Sequence, residues 1–396
     1  MKKCFALILT VLMVLSLAAC GNSAGNSTTS NAGSTSQEAS GSSSGKKLTI
    51  GFNNYLKGIY SLDILEKNFT TTCEALGVEP MVVNDEGKME NSVSNVDNMI
   101  AAGVDGIVFF GISDTLFSVV SQKCEAAGIP YAFFDHMPSD AVYDSLKNNE
   151  LFAGVAGTLD INTGKNIGTY ASEQNLKKAI IVSGQTTDVT HSARTNGFEE
   201  AFTAAGGTVL AEGYGEVTIA EALTRANDLL TAHPDTDCVY ATNGDVGTAC
   251  IEALAKHPEV HAQLYVTDLD PDVLTGLENG TVAAANGAHW VNIDYATALL
   301  VNYLNGNILK DEAGNAPKLV VPVMTLPSNY VGLYNEQWIE NSPYSDAEIQ
   351  SLVVTYNKEA NLDSFTKMLD EYTIDNRLQA KVDAGIITQA DLDAVK

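Results

Sequence analysis

Short apolar runs alternate with amphipathic segments along the chain from residue 46 onwards. The first four runs predict strands over residues 48–52, 80–83, 106–110 and 131–134. The segments between them predict helices over residues 62–76, 92–102 and 115–127. These helices end next to Gly77, Gly103 and Gly128, as left-handed helix caps require. Uninterrupted apolar strands joined by helices indicate a parallel sheet that is covered on both faces.

The same pattern then starts again. Further strands are predicted over residues 178–182, 208–211, 238–241, 264–267, 281–284 and 319–323. Further helices are predicted over residues 191–205, 219–232, 246–256, 272–278 and 293–304. Two successive α/β lobes of roughly 100–150 residues each fit the usual size of a domain.

Residues 336–396 have a different pattern, without strand-like runs. A capping box from Ser345 to Glu348 predicts the start of one helix. Two more helices are predicted over residues 362–372 and 377–384, and Thr388 is placed to cap a last turn. We therefore expect a helical extension over 336–396, either packed on the lobes or loosely attached.

The N-terminus has the three parts of an export signal. Lys2 and Lys3 precede an apolar run over residues 5–17, and small residues then lead to Cys20. The segment Leu-Ala-Ala-Cys resembles a bacterial lipobox, so we expect residues 1–19 to be removed and Cys20 to carry the lipid. The alternative is a plain secretory signal that is cut near Ala19. Residues 20–45 are then a Ser/Gly-rich flexible tether, which places the folded part at the outer face of the cytoplasmic membrane.

Composition excludes several classes of function. The chain has 396 residues, of which 22 are basic and 49 acidic, for a net charge of −27. Nucleic-acid binding is not expected, because phosphates require clustered Lys and Arg. No G-x-G-x-x-G follows a predicted strand, and the six His lack metal-ligand spacing. We therefore expect no enzyme activity, no cofactor and no metal.

Four cysteines remain after the signal and Cys20 are set aside: Cys73, Cys124, Cys238 and Cys250. Because three fall in helix patterns and one starts a strand, we interpret them as buried free thiols. An oxidised pair is the alternative, and the spacing does not assign one.

Several segments, in this order and spacing, resemble those of a known family. They are Val-Asp-Gly-Ile-Val at 104–108 before Ser113 and Asp114, Ala-Gly-Ile-Pro at 127–130 before Asp135, Ser-Ala-Arg at 192–194, Leu-Leu-Thr-Ala-His-Pro-Asp at 229–235, Ala-Thr-Asn at 241–243, and Val-Thr-Asp at 266–268. From about residue 46 to 333 the chain is similar to the ribose/galactose-type periplasmic sugar-binding proteins, which are the substrate-binding components of ABC importers.

The resemblance implies a type I periplasmic binding fold, with two doubly wound parallel-sheet lobes and a three-segment hinge. We place the first lobe at residues 46–155 with 286–320, and the second at 156–285 with 321–335. The hinge crossings are expected at residues 152–158, 283–287 and 321–326. A ligand would lie between the lobes, at the carboxyl ends of the strands.

The resemblance also implies the ligand-binding residues. Asp135, Arg194, Asn243 and Asp268 match sugar-binding positions of the family. Departures from the family's pattern and weaker candidates complete the set: His136 where ribose binders have Arg, Thr158 at the first crossing, Asn53, Tyr55 and Tyr60 in place of an aromatic pair, and Trp290 near the position of a usual Gln. The alternatives are a helix cap or turn for Asp135, turns for Asn243 and Asp268, a surface ion pair for Arg194, hinge geometry for Thr158 and a place in the core of the lobe interface for Trp290.

The function that we predict is capture of a monosaccharide or sugar-like molecule by a lipid-anchored monomer, which delivers it to an ABC permease. A sensory protein that serves a chemoreceptor or histidine kinase is one alternative. A nucleoside or autoinducer-type furanose binder is another. An enzyme in the cleft is disfavoured by the absence of an activated nucleophile. A transcription regulator is disfavoured by the absence of an N-terminal helix-turn-helix.

Overall fold

The computed structural model describes residues 47–186, 188–215 and 218–396. The predicted signal, Cys20 and the whole of the tether lie outside the described residues. Lys46–Lys396 form one compact unit.

Strands and helices alternate through most of this unit. The strands are β1 (Thr49–Asn54), β2 (Glu79–Asn84), β3 (Gly106–Phe110), β4 (Tyr131–His136), β5 (Phe152–Thr158), β6 (Lys178–Ser183), β7 (Thr208–Tyr214), β8 (Cys238–Ala241), β9 (Gln263–Thr267), β10 (Ala284–Gly287), β11 (Lys318–Val320) and β12 (Met324–Leu326). The helices before the extension are α1 (Tyr60–Ala75), α2 (Met89–Ala102), α3 (Asp114–Ala127), α4 (Asp140–Leu146), α5 (Asp160–Glu173), α6 (Val189–Ala204), α7 (Ile219–Ala232), α8 (Gly244–Lys256), α9 (Pro271–Asn279) and α10 (Asn292–Leu304).

These strands form two separate sheets. The first has the order β11-β5-β4-β3-β1-β2, and its strand pairs are parallel. The second has the order β12-β10-β9-β8-β6-β7, in which β12 alone is paired antiparallel. The chain changes sheet after β5, after β10 and after β11. This architecture confirms the predicted fold of two doubly wound lobes that are joined by three crossings.

Each sheet is buried on both faces. Successive side chains of a strand point to opposite faces, and in these strands the side chains on both faces are apolar. In β3, Phe109 packs with residues of α2 and α3, whereas Phe110 points into the core on the other face, with α1 and α10. Both residues are nearly inaccessible to solvent. The uninterrupted apolar strands therefore belong to a parallel sheet that is covered on both faces, as predicted.

Two strand predictions differ from the structure. The strand predicted over residues 281–284 lies later in the chain, from Ala284 to Gly287. The run over residues 319–323 divides into β11 and β12, which belong to different sheets. Pro322 lies between them, and a proline cannot donate a hydrogen bond to a neighbouring strand. Because β5 ends at Thr158 and β10 ends at Gly287, the first and second crossings follow these residues, slightly later than the expected lobe limits at 155 and 285.

Helix α5 was not predicted, because its sequence is polar and contains two glycines. The glycines allow α5 and α6 to touch. A Cβ atom added to Gly164 would lie 2.0 Å from the carbonyl oxygen of Arg194, and one added to Gly197 would lie 2.0 Å from that of Ile161. Contact this close excludes any larger side chain. The two helices that begin the second lobe are thus held backbone to backbone.

The C-terminal extension is helical, as predicted, and it is packed on the lobes. Its first helix begins at Val331, before the predicted start at residue 336. Its helices are α11 (Val331–Tyr334), which continues into a π-helical stretch over Asn335–Glu340, α12 (Asp346–Ser351), α13 (Leu362–Asp370), α14 (Ile374–Asp383) and α15 (Gln389–Asp393). Tyr334, Trp338, Tyr344 and Tyr372 are buried in the same hydrophobic cluster as α1 and α10. The extension is therefore continuous with the core of the protein.

The cysteines are structural in character. Cys73, Cys124, Cys238 and Cys250 are all buried free thiols. Burial raises the pKa of Cys124 and Cys250 to about 12, so these groups stay protonated at neutral pH.

Among the residues that the structure describes, no helix combines the length and the apolar character needed to cross a bilayer.

Candidate ligand-binding site

Two aspartates at the carboxyl ends of strands have a strained backbone conformation. Asp135 in β4 has a φ of 71°, and Asp268, just after β9, has a φ of 75°. Residues other than glycine rarely adopt this left-handed region, although Asp does so more readily than most. Strain of this kind is typical of binding sites, where the surrounding structure holds a side chain in place. The two aspartates belong to different lobes, and each marks the edge of a sheet where open α/β folds bind ligands.

Asp135 is held as a carboxylate by its neighbours in the first lobe. Asn292 donates a hydrogen bond from Nδ2 to Oδ1 at 2.7 Å, and His136 Nδ1 lies 3.1 Å from Oδ2. Burial alone would raise the pKa of Asp135, but His136, His289 and Asn292 together lower it below its ordinary value. The pKa of His136 is raised to about 9, because the charge of Asp135 outweighs the effect of burial. At neutral pH this is a charged pair.

Arg194 organises the facing side of the second lobe. It lies in α6 and is 6% exposed. Its Nε donates to Asp160 Oδ1 at 2.9 Å, and its Nη1 donates to Asp268 Oδ2 at 3.1 Å and to the carbonyl oxygen of Thr242 at 3.0 Å. Burial acts to lower the pKa of Arg194, but Asp268 and Asp160 raise it above its ordinary value, so the guanidinium stays charged. The alternative weighed for Arg194 was a surface ion pair, whereas its ion pairs with Asp160 and Asp268 are buried.

A further carboxyl group lies beside this cluster. Burial raises the pKa of Asp270 to about 8, and the nearby charges of Asp268, Asp245 and Asp272 add to the effect. Its Oδ1 and the Oδ1 of Asp268 are both buried without a hydrogen-bond partner. Unpaired buried oxygens are rare in proteins, and they are expected where a ligand supplies the missing donor.

A cavity of about 430 Å³ is lined by residues of both lobes, and Asp135, Arg194, Asp268 and Asp270 are not among these lining residues. His136 and Phe117 line it from the first lobe, and Asp160 and Ala193 line it from the second. Thr158, at the end of the crossing strand β5, also lines this cavity, and its buried Oγ1 has no hydrogen-bond partner. Since Asp160 also raises the pKa of His136, the charged groups of the two lobes influence each other across this space.

The predicted asparagines are used by the protein itself. Asn53 is fully buried, donates from Nδ2 to Asp85 Oδ2 at 2.7 Å, and accepts from the backbone N–H of Phe110 at 2.8 Å. Asn243 caps α8, because its Oδ1 accepts from the backbone N–H of Val246 at 2.9 Å. The alternative weighed for Asn243 was a turn residue, and the structure instead makes it the N-cap of α8. Asn53 braces two strands of the first sheet, which does not favour ligand contact.

The predicted aromatic residues do not line the cavity between the lobes, and they do not stack on one another as a pair. Tyr55 donates from Oη to the carbonyl oxygen of Gly87 at 2.8 Å. Tyr60 meets Trp290 edge to face, with ring centroids 5.8 Å apart. Trp290 is only 4% exposed and belongs to the main core cluster, as its alternative role required. Burial and the charge of Asp270 raise the pKa of Tyr60 to about 12, which places this ring near the acidic side of the cleft.

Sequence patterns did not identify Asp160, Asp270 or Asn292 as part of the site. Asn292 is fully buried, and while its Nδ2 binds Asp135, its Oδ1 has no partner. Asp160 opens a helix that was itself not predicted. For Asp270, the only available signal was its position two residues after Asp268, at the start of a helix.

A family model described as a periplasmic binding protein domain matches residues 50–308. The chain belongs to this family. Curated relatives include the D-ribose/D-allose-binding protein of Pseudomonas aeruginosa, which is 26% identical over 176 residues, 43% of this chain and 54% of that protein. The ribose import binding protein of Escherichia coli is 22% identical over 213 residues, 53% of this chain and 69% of that protein. The chain thus spans little more than half the length of the first relative. These relatives are solute-binding proteins and not enzymes, as predicted.

Solved structures of periplasmic binding proteins share the fold. A galactofuranose binding protein has a TM-score of 0.64 at 18% identity, over 74% of this chain and 99% of that one. A periplasmic solute binding protein of an ABC transporter from Actinobacillus succinogenes, with bound D-allose, has a TM-score of 0.65 at 18% identity, over 73% of this chain and 100% of that one. Both matches leave about a quarter of this chain without a counterpart.

Proposed function

We propose that this chain captures a monosaccharide or a sugar-like polar molecule between its two lobes. The observation that carries the proposal is the set of buried, unpaired polar atoms that both lobes supply at the strand ends. They are Asp268 Oδ1, Asp270 Oδ1, Thr158 Oγ1, Asn292 Oδ1 and His289 Nδ1. Sugar hydroxyls each donate and accept, so a ring of hydroxyls can supply both the donors and the acceptors that such atoms need.

The charges of the cleft favour the same ligand class. Asp135 is ionised next to His136, and Arg194 is held between two carboxylates. Charge-assisted hydrogen bonds to hydroxyls are stronger than neutral ones, which suits a ligand without charge of its own. The names of the matched relatives, which bind ribose, allose or galactofuranose, support a sugar as well.

Delivery to an ABC permease and anchoring through Cys20 complete the proposal. A ligand that binds the closed form more tightly than the open form shifts the protein towards closure, and a permease can then recognise the closed form. The lipid would keep a monomer at the outer face of the cytoplasmic membrane. A Cys20→Ala chain should lose incorporation of labelled fatty acid and appear in the medium, whereas a Cys4→Ala chain should stay anchored.

A thermal-shift screen of residues 46–396 tests sugar capture. The probes are D-ribose, D-allose, D-galactose and L-arabinose, with nucleosides and amino acids as the comparison set. A ligand at about 100 times its Kd stabilises the folded state by about 2.7 kcal/mol. We expect one sugar to raise Tm, Asp135→Asn to abolish the rise, and Asp97→Asn to leave it unchanged, since Asp97 pairs only with Lys123 at the surface. A rise with nucleosides or amino acids alone would contradict a sugar ligand. A ligand that is turned over would contradict a binding protein.

A further inference from the structure

The extension carries two polar side chains that are completely buried and unpaired. Tyr334 and Gln337 are both 0% exposed. The Oη of Tyr334 has no hydrogen-bond partner, and neither do the Nε2 and Oε1 of Gln337. Burying an amide or a hydroxyl without a partner costs free energy, so such groups persist where something else binds them.

Both side chains belong to the helical stretch from α11 to Glu340. Tyr334 ends α11, and Gln337 lies three residues later in the π-helical stretch. Helix α11 packs against α9, whose first turn follows Asp270 directly. Burial raises the pKa of Tyr334 well above its usual value, and Tyr372, Tyr60, Asp270 and Asp268 add to the rise. Tyr334 is therefore a neighbour of the acidic side of the cleft.

The helical stretch is held firmly in this position. Tyr334 stacks on Trp338 at 5.5 Å between ring centroids, and Trp338 Nε1 donates to Tyr372 Oη at 3.1 Å. Tyr372 in turn donates to the carbonyl oxygen of Ala288, next to the second crossing. At the other end, Lys67 of α1 donates to the carbonyl oxygens of Ile339, Glu340 and Asn341. A group fixed in this way is preorganised for binding.

We propose that Tyr334 and Gln337 are ligand-binding residues, and that the extension forms a third wall of the cleft. The proposal rests on sugar capture and extends its contact set beyond residues 50–308, which the family model matches. An amide offers two donors and one acceptor, and a phenol offers one of each. The same polyhydroxylated ligand would also pair with the unpaired Oδ1 atoms of Asp268 and Asp270.

The test uses residues 46–396 with D-ribose, D-allose, D-galactose and L-arabinose as probes. Tyr334→Phe removes only the hydroxyl, and Gln337→Met keeps the shape of the side chain without its polar atoms. For the sugar that binds the wild type, we expect each variant to lower the affinity at least tenfold by calorimetric titration. In the absence of sugar, both variants should have an unchanged or higher Tm, because an unpaired buried group has become apolar.

Tyr344→Phe is the matched control. Tyr344 is a buried tyrosine of the same extension, but its hydroxyl is already paired with that of Tyr295. This variant should lower Tm without sugar and leave affinity unchanged. The proposal is overturned, with sugar capture intact, if Asp135→Asn abolishes binding while Tyr334→Phe and Gln337→Met bind normally. A lower Tm with unchanged affinity in both variants would likewise overturn it. If no probe binds the wild type, sugar capture fails and this inference fails with it.

Discussion

Arg194 and Asp268 form a buried ion pair in which only one carboxylate oxygen is used. Nη1 lies 3.1 Å from Oδ2, while Oδ1 has no partner. The same guanidinium binds Asp160 through Nε. Arg194 therefore uses most of its N–H groups in hydrogen bonds to the protein. It aligns two carboxylates, each through one oxygen, which leaves the other oxygen available to a ligand. Its role in binding is in large part to position these acids.

Replacing Arg194 should therefore lower the stability of the folded protein, whether or not ligand is present. In Arg194→Met, Asp160 and Asp268 would remain buried without their counter-charge. Removing one partner of a buried pair costs about 3–5 kcal/mol, so we expect a loss of this order in the free energy of unfolding by urea at pH 7. Adding Asp160→Asn and Asp268→Asn should recover much of the loss. A loss below about 1 kcal/mol, as for exposed pairs, would contradict this account.

Gly197 should tolerate no side chain, although it lies inside a helix. Alanine normally favours a helix over glycine by about 1 kcal/mol. Here its Cβ would lie 2.0 Å from the carbonyl oxygen of Ile161, so α5 and α6 would have to separate. We expect Gly197→Ala to lower the free energy of unfolding by about 1–3 kcal/mol or more. Gly332→Ala is the control, because a Cβ there meets open space and should be neutral or stabilising. Equal effects of the two changes would refute the close approach of α5 and α6.

The pair of Asp135 and His136 should make stability depend on pH above neutrality. The pKa of His136 is about 9 in the folded protein and about 6.5 in an unfolded chain. Its stabilising effect is thus complete below pH ~6.5 and is lost as the pH rises through about 9. We expect the stability advantage of the wild type over His136→Gln to shrink across this range. Thermal unfolding of both proteins from pH 6 to 9.5 measures it, and parallel curves would contradict the raised pKa.

Strand order explains why part of the site was predictable. Asp135 and Asp268 follow apolar strands, and the carboxyl ends of parallel strands meet at one edge of a sheet. The family resemblance supplied Asp135, Asp268 and Arg194 as candidates, and the structure places Arg194 next to Asp268. These inferences needed only local patterns and their order along the chain.

The remaining parts depend on contacts between distant segments. Asn292 binds Asp135 across 157 residues, and no local pattern links the two. The polar sequence of α5 hid both the helix and Asp160, because α5 packs through glycines and not through an apolar stripe. The extension was predicted to be helical, but periodicity carries no information on where Tyr334 and Gln337 would dock.

Asp294 offers the sharpest test of the core beneath the cleft. It lies in α10, is 2% exposed, and accepts a hydrogen bond from Thr72 Oγ1 at 2.8 Å. Burial raises its pKa to about 8 despite this hydrogen bond. Since the pKa is about 3.9 in an unfolded chain, its protonated form favours folding fully below pH ~3.9, and this contribution is lost as the pH rises through about 8.

Asp294→Asn should remove this loss, because asparagine keeps the size and the acceptor but cannot ionise. Between pH 6 and 8 the wild type should lose up to about 1.4 kcal/mol per pH unit relative to the variant, since one proton is released on unfolding. Urea unfolding of both proteins at pH 6, 7, 8 and 9 measures the difference, and the contributions of His136 and Asp270 cancel between them. Thr72→Val, which removes a hydrogen bond that lowers the pKa, should extend the loss beyond pH 8. A constant difference between wild type and Asp294→Asn from pH 6 to 9 would mean that Asp294 is already ionised at neutral pH in the folded protein.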